Sequence, residues 1–166
     1  MTAQRHLIVM RHAKAGELPG GPDAERALRP RGRRDATAAG GWLAARGQVP
    51  DLVFCSMAKR ARQTWQQVSA ALGAEPEVSF DPRLYQADAR QLLDILGAAP
   101  ASARTLMYVG HNPAAADLVE IITGQPADLP TSAIAVIGLD LSWPALALGE
   151  GDGTGELVTF WTPHAG

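Results

Sequence analysis

The sequence predicts an α/β fold in which helices cover a mostly parallel central sheet. Short apolar runs alternate along the chain with Ala-, Arg- and Leu-rich stretches of helical length, which is the pattern of parallel strands joined by crossover helices. Most of the predicted strands are continuous apolar runs, as buried strands tend to be. The chain has 166 residues and no repeat or linker-like segment, which predicts a single domain over residues 1–166.

The first half of the chain is predicted to contain two strand–helix units. The apolar run Leu7-Ile8-Val9-Met10 predicts a strand over residues 6–10. The stretch 16–22 is rich in Pro and Gly and has no apolar periodicity, so we expect a surface loop there. The next predicted elements are a helix over residues 32–46, a strand over 52–55 and a helix over 59–72.

The second half continues the alternation and then closes with a turn. Pro113 is favourable in a first helical turn, and it marks the start of one predicted helix. A Gly-rich turn cluster at 149–155 precedes an apolar segment at 156–161, which predicts a closing hairpin or edge strand. The other predicted elements are a weaker strand over 77–80, helices over 87–96 and 113–123, and strands over 105–109 and 133–141.

The composition argues against several classes of function. Fifteen basic and 17 acidic residues give a formal net charge of −2, which disfavours nucleic acid and anionic membranes as partners. The basic run at 29–34 lacks interleaved aromatic residues, and we interpret it as a solvated helix face. The chain start lacks the long apolar region of a secretory signal, and no stretch of about 18 apolar residues occurs, so we expect a cytoplasmic protein.

Cys55 is the single cysteine of the sequence, so neither an internal disulfide nor a multi-cysteine zinc site is expected. A cysteine phosphatase would need an arginine six positions after its thiolate, where this chain has Ala61. We therefore interpret Cys55 as a buried residue at the end of a strand.

Three predicted strands end in groups that could bind an anion. The first ends in Arg11-His12, which pairs a bidentate oxyanion ligand with a nitrogen nucleophile, although a solvated polar pair is an equally weighted interpretation. The second leads into residues 56–64, where Arg60 lies at a helix start that favours phosphate. The third leads into Gly110-His111, where the glycine permits a close approach of the backbone. Strand ends of this kind are the usual location of ligands in α/β sheets.

These motifs resemble the signature of the histidine phosphatase superfamily, in the branch (branch 1) that contains phosphoglycerate mutases and small phosphatases. The Arg-His-Gly of that family is similar to Arg11-His12-Ala13 here. Its Ser-Pro-x-x-Arg-Ala-x-Gln-Thr motif is similar to residues 56–64, and its late Gly-His motif is similar to Gly110-His111.

The small size of the chain and two further segments, 28–32 and 131–135, look most like the SixA-type phosphohistidine phosphatases. Met57 stands where the family motif has proline. The resemblance implies a phosphoglycerate mutase-like fold, a three-layer α/β/α sandwich that is minimal and lacks the insertions from which larger relatives build a lid.

The resemblance also implies the role of four residues. His12 would attack phosphorus and be transiently phosphorylated, while Arg11, Arg60 and His111 hold the phosphoryl oxygens. No metal and no cofactor is expected, because several convergent donors can stabilise the charge of a transferring phosphoryl group. His12 must be neutral to attack, whereas a cationic His111 would add stabilising charge, so we expect opposite protonation states in one pocket.

Besides Met57, the chain departs from the family pattern at three positions. Ala13 replaces the motif glycine, and Leu18 replaces an asparagine that contacts phosphate in mutase-like members. Gln86 stands where many relatives have a glutamate that acts as general acid, and a glutamine cannot donate that proton. Asp88 is the nearest carboxylate: it could be the proton donor, or it could equally cap the helix at 87–96.

A missing acid would favour substrates with good leaving groups, because a poor alkoxide must be protonated as it departs. The resemblance therefore implies a phosphatase for phosphohistidine in proteins, with a phosphohistidine-bearing protein as the partner. A phosphatase for small-molecule phosphomonoesters and a non-catalytic phosphate- or phosphoprotein-binding module are the alternatives. Oligomeric state is not predicted.

Overall fold

The computed structural model describes residues 4–164, which form six strands, five α-helices and two short 3₁₀ helices. The strands are β1 (Arg5–Arg11), β2 (Leu52–Ser56), β3 (Glu77–Asp81), β4 (Thr105–Gly110), β5 (Ile134–Leu139) and β6 (Glu156–Trp161). The helices are α1 (Pro30–Ala45), α2 (Lys59–Leu72), α3 (Ala89–Gly97), α4 (Ala114–Thr123) and α5 (Trp143–Ala147). The 3₁₀ helices span Asp23–Glu25 and Pro82–Tyr85.

The six strands form one mixed sheet in the order β3-β2-β4-β1-β5-β6. Strands β3, β2, β4 and β1 are parallel neighbours, β5 is antiparallel to β1, and β6 is antiparallel to β5. The mostly parallel sheet predicted from the sequence is therefore confirmed, and β6 is the predicted edge strand.

Side chains of alternate strand positions fill two separate hydrophobic layers. On β1, Ile8 and Met10 pack with α1 and α2, whereas Leu7 and Val9 pack with α3 and α4 on the opposite face. All four β1 side chains are fully buried, which explains why this strand is a continuous apolar run. Helices on both faces of one sheet give the predicted three-layer α/β/α sandwich.

Several observed element boundaries differ from the predicted ones by one or two residues. Helix α1 begins at Pro30, two residues before the predicted start, because proline suits the first helical position. Pro113 precedes α4, which begins at Ala114. Strand β5 ends at Leu139, two residues before the predicted end. The short helix α5 and both 3₁₀ helices were not predicted.

Within residues 4–164, no helix combines the length and the apolar character needed to cross a membrane.

Candidate active site

The predicted site residues meet at one edge of the sheet because they follow three neighbouring parallel strands. Arg11 ends β1 and His12 follows it, Arg60 lies in the first turn of α2 after β2, and His111 follows β4. The order β2-β4-β1 places these carboxyl ends side by side. The structure thus brings all four predicted residues to one pocket.

His12 is buried within this group of residues, with only 8% of its surface exposed. Its Nδ1 lies 2.8 Å from the carbonyl oxygen of Ala13, which can only accept, so Nδ1 carries the proton and Nε2 carries the lone pair. Burial, followed by the positive surroundings of the pocket, lowers the pKa of His12 to about 3. The imidazole is therefore neutral at pH 7, as a nucleophile must be.

Arg60 joins the two histidines. Its Nε donates towards Nε2 of His12, and its Nη2 towards Nδ1 of His111, each over 3.4 Å. The imidazole ring centres of His12 and His111 lie 5.3 Å apart. One edge of a buried guanidinium therefore faces the gap between the two rings.

His111 is held by groups from β2 and β4. Because Nδ1 accepts from Arg60, the proton lies on Nε2, which donates to Oγ of Ser56 over 2.8 Å. Its backbone N–H donates to the hydroxyl of Tyr108 over 3.2 Å. A Cβ at Gly110 would lie only 2.0 Å from that hydroxyl oxygen, so the glycine of the Gly-His motif is required for this close approach.

The protonation state of His111 differs from the expectation for the free protein. Burial, and then the charge of Arg60, lower the pKa of His111 to about 4. Both imidazoles of the unliganded pocket are therefore neutral at pH 7, because each is buried and also lies beside arginines. A bound dianion would change that balance, since a nearby negative charge raises the pKa of an imidazole.

Arg11 lies half-buried beside the same pocket. One Nη donates to the carbonyl of Leu129 over 3.2 Å, and the buried Nε has no hydrogen-bond partner within residues 4–164. Its positive charge contributes to the lowered pKa values of both His12 and His111. A guanidinium with a spare buried donor fits an anion at this place.

The remaining residues of the 56–64 motif fix the loop that carries the nucleophile. Oγ1 of Thr64 accepts from the backbone N–H of Ala13 over 2.9 Å, and Oε1 of Gln63 accepts from the N–H of Leu28 over 2.8 Å. The methyl group of Ala13 is fully buried in the core between the sheet, α1 and α2, so alanine is accommodated where the family motif has glycine.

Two residues of the pocket were missed by the sequence analysis. Asp23, in the loop between β1 and α1, accepts hydrogen bonds from Arg60 through its carbonyl and its carboxylate over 2.9 and 3.0 Å. The hydroxyl of Tyr85 donates to the same carboxylate, and the Tyr85 ring meets His111 edge-on at 5.6 Å between centres. No sequence signal marks Asp23, because Arg60 lies 37 positions away.

Asp88 caps α3 in a reciprocal arrangement with Gln91: its carboxylate accepts from the Gln91 backbone, and the Gln91 side chain accepts from the Asp88 backbone. The helix cap is therefore confirmed. Asp88 also lines a cleft of about 230 Å³ that His111, Tyr85 and Gln86 share, so the predicted proton donor stays a prediction.

Cys55 is fully buried at the end of β2, and burial raises the pKa of its thiol to about 12. The thiol is therefore not a nucleophile at neutral pH, in agreement with its interpretation as a structural residue. No group of three or more His, Cys, Asp or Glu side chains in the described part of the chain is arranged to hold a metal ion.

This arrangement can bind a tetrahedral oxyanion and present a nitrogen nucleophile to it. A neutral imidazole lone pair, a guanidinium edge and a second imidazole surround one gap, and Arg11 adds positive charge. Several donors around one point are what the charge of a transferring phosphoryl group needs.

Comparisons with known proteins agree with this geometry. The profile of the histidine phosphatase superfamily (branch 1) matches residues 7–95. An uncharacterized protein of Mycobacterium leprae is 34% identical, and one of Mycobacterium tuberculosis is 35% identical; each match covers 93% of this chain and 100% of the other protein.

Solved structures superpose closely on the whole chain. A candidate phosphohistidine phosphatase SixA from Nakamurella multipartitia gives a TM-score of 0.83 at 33% identity and covers 99% of each chain. The protein histidine phosphatase SixA complexed with tungstate gives a TM-score of 0.80 at 25% identity and covers 95% of this chain and 97% of that one. These likenesses confirm the fold class that the sequence predicts.

Proposed function

The chain belongs to the histidine phosphatase superfamily, branch 1, and from this premise we propose that it removes phosphoryl groups from phosphohistidine in proteins, with His12 as the nucleophile. That it is a phosphatase follows from the family and from its SixA-like neighbours. The observation that carries the role of His12 is the convergence of His12 and His111 on one guanidinium, each 3.4 Å from a different nitrogen of Arg60.

In the first step the Nε2 lone pair of His12 forms a bond to phosphorus while the bond from phosphorus to the substrate nitrogen breaks. The electron pair of that bond stays on the departing imidazole, which leaves as a neutral ring because its other nitrogen already carries a proton. Arg60 and Arg11 hold the phosphoryl oxygens and stabilise their charge, and the Nε–H of Arg60 turns from Nε2 of His12 to one of these oxygens. His111 joins them by taking up a proton from solvent at Nδ1 as the anion binds, because its Nε2–H donates to Ser56, and it returns that proton when phosphate leaves. No metal ion enters the step.

The phosphorylated His12 carries a positive charge, which the carbonyl of Ala13 stabilises by accepting from Nδ1. In the second step a water oxygen bonds to phosphorus and the N–P bond breaks. Its electron pair returns to Nε2, and the water proton passes to solvent. The net reaction consumes one water and releases inorganic phosphate and the unmodified histidine of the substrate.

The choice of phosphohistidine rests on the carboxylates near the pocket. The hydrogen bond from Tyr85, and those from Arg26 and Arg60, hold the pKa of Asp23 well below its usual range, so this carboxyl is ionised and has no proton to donate. Asp88 is engaged in its helix cap. An imidazole protonated on its second nitrogen needs no acid of the enzyme at the breaking bond, whereas a sugar alkoxide does.

The test is a comparison of substrates and of the phosphoenzyme. We expect the wild type to hydrolyse a phosphohistidine-bearing protein and p-nitrophenyl phosphate much faster than sugar phosphates and nucleotides. Mass spectrometry after rapid quenching should locate an acid-labile, alkali-stable phosphoryl group on His12. His12→Ala should lose both turnover and label, whereas His164→Ala, which changes a histidine outside the pocket, should keep them.

A label on another residue would contradict the role of His12. Preference for a sugar phosphate would favour the small-molecule alternative. Equal inertness of wild type and His12→Ala, with phosphate binding retained in both, would identify a binding module.

A further inference from the structure

Asp23 is the pocket residue to which the proposed mechanism gives no task. We propose that Asp23 is the positioning residue of Arg60: it holds the two terminal nitrogens of the guanidinium so that the edge formed by Nε and Nη2 faces His12 and His111. This inference rests on the proposed function, because it assigns Arg60 to the oxyanion.

The two contacts between Asp23 and Arg60 fix an orientation as well as a position. Nη1 of Arg60 donates to the Asp23 carbonyl over 2.9 Å, and Nη2 donates to Oδ2 over 3.0 Å. A planar guanidinium held at both terminal nitrogens by one residue cannot rotate about its long axis. The edge formed by Nε and Nη2 therefore points towards the histidines, to which these atoms lie within 3.4 Å.

Asp23 is itself held by two further groups, although half of its side chain is exposed. Its Oδ1 accepts from Nη1 of Arg26 over 3.0 Å, and Nε of Arg26 donates to the carbonyl of Gly16 over 2.9 Å. The hydroxyl of Tyr85 donates to Oδ2. These contacts come from the β1–α1 loop and from the 3₁₀ helix after β3, so Asp23 is fixed from two sides of the pocket.

The charge of Asp23 keeps Arg60 inside the protein before any substrate arrives. The Arg60 side chain is only 8% exposed, and its other neighbours include two imidazoles, the Tyr85 ring and the like charge of Arg11. A buried cation without an opposite charge is unfavourable and would turn towards solvent. With Asp23 in place, the donors are oriented in advance, which is the condition under which charge stabilisation accelerates a reaction most.

The opposite hypothesis is that the Asp23 carboxylate stands in for the substrate and must leave before phosphate binds. The geometry favours positioning, because the atoms that face the histidines include Nε, which Asp23 does not contact. The two hypotheses predict opposite changes in phosphate affinity when the charge of Asp23 is removed. Removal of the charge weakens phosphate binding if Asp23 positions Arg60, and strengthens it if Asp23 competes.

Calorimetric titration with inorganic phosphate measures whether the affinity of the variant is lower or higher than that of the wild type. Asp23→Asn keeps the carbonyl contact and the side-chain shape, and we expect it to weaken phosphate binding by about tenfold or more, the typical effect of losing one charged hydrogen bond. Asp152→Asn is the control, since Asp152 pairs with an arginine outside the pocket, and its phosphate affinity should equal that of the wild type. Equal or tighter binding by Asp23→Asn would overturn the proposal.

A double-mutant cycle tests whether Asp23 acts through Arg60 or merely stabilises the loop. With p-nitrophenyl phosphate, Asp23→Asn should lower kcat/KM in the wild-type background and have no further effect in the Arg60→Ala background. Additive losses would overturn the proposal. Tyr85→Phe, which removes one of the groups that fix Asp23, should weaken phosphate binding in the same direction if Asp23→Asn does not fold.

The role of Asp23 and the proposed function are tested by different measurements. A wild type that forms no phosphohistidine on His12 refutes the function, while its phosphate affinity and that of Asp23→Asn still measure the sign of the Asp23 effect.

Discussion

Two arginine–aspartate pairs of this protein differ in their surroundings more than in their geometry. Arg60 and Asp23 meet over 3.0 Å in the pocket, and Arg90 and Asp152 meet over 2.5 Å on the surface, between α3 and the Gly-rich turn at 149–155. The two pairs differ at the arginine: the Arg90 side chain is 57% exposed and that of Arg60 is 8% exposed, whereas Asp23 and Asp152 are both partly exposed.

A shorter distance does not by itself make an ion pair more important to the protein. Water and salt compete with the surface pair, so the charges gain little from each other. The Arg60 guanidinium is itself buried, and its Nε and Nη2 face two imidazoles. Loss of the buried pair therefore changes the electrostatics of the pocket, whereas loss of the surface pair should change almost nothing.

The largest expected effect is the loss of activity in Arg60→Ala, with Arg90→Ala as the matched control. We expect Arg60→Ala to lower kcat/KM for p-nitrophenyl phosphate by about a thousandfold, as removal of a preorganised donor does. Arg90→Ala should leave the rate unchanged. Circular dichroism and thermal unfolding of both variants check that they fold, and a near-normal rate in a folded Arg60→Ala would remove Arg60 from the site.

The second effect concerns the glycine that lets the His111 backbone approach Tyr108. In Gly110→Ala the new methyl group would meet the Tyr108 hydroxyl oxygen at 2.0 Å, so either the ring or the strand end must move. We expect the free energy of unfolding to fall by about 1–3 kcal/mol and kcat to fall by about a hundredfold, because small displacements of catalytic groups are costly.

Gly41→Ala is the control for that variant, because a Cβ at Gly41 on α1 has no atom within 4 Å. It should raise stability slightly and leave turnover unchanged. Urea unfolding and steady-state kinetics of the two variants measure the contrast, and equal behaviour of both would show that the contact with Tyr108 does not matter.

The third effect is a pH dependence of stability. The folded protein holds His12 with a pKa of about 3, against 6.5 for an ordinary histidine, so the unfolded chain binds more protons between these values. Stability should therefore rise with pH through this window and fall as the pH drops below 6.5. The contribution of one such histidine is about 1.4 kcal/mol per pH unit.

His12→Gln removes the titrating group, so its free energy of unfolding should depend less steeply on pH than that of the wild type. Urea unfolding at several pH values between about 4 and 6 gives the slope of the free energy of unfolding against pH for each protein. Identical slopes would mean that His12 is not held neutral in the folded protein.

The smallest effect should come from the surface pair. Asp152→Asn and Arg90→Ala should unfold within experimental error of the wild type in high salt, where exposed charges are screened. A clear loss of thermal stability that persists in high salt would show that this pair contributes more than its exposure suggests.

Much of the site could be predicted because it depends on local patterns at strand ends. Arg11-His12, Arg60 and Gly110-His111 each follow an apolar run, and parallel strands bring their carboxyl ends to one edge of a sheet. Asp23 could not be predicted, since its partners lie at positions 60 and 85 and its own surroundings are an irregular loop. Contacts between distant loops leave no periodic signal in one sequence.

Some elements of the fold could likewise be predicted from the sequence, and others could not. Helix α2 and strand β6 have the predicted bounds, because their hydrophobic pattern and their turn residues agree. Helix α5 spans five residues, too few for helical periodicity to distinguish it from a turn. Asp88 left two interpretations open at the sequence level, and its hydrogen bonds with Gln91 then established the cap.

The inert thiol at the end of β2 has a practical consequence. Because Cys55 is fully buried and its pKa is about 12, alkylating reagents can reach it only when the sheet opens. The rate at which a maleimide labels the chain therefore reports how often the central strands separate. A single natural residue thus serves as a probe of global opening, and turnover can be assayed without added reductant.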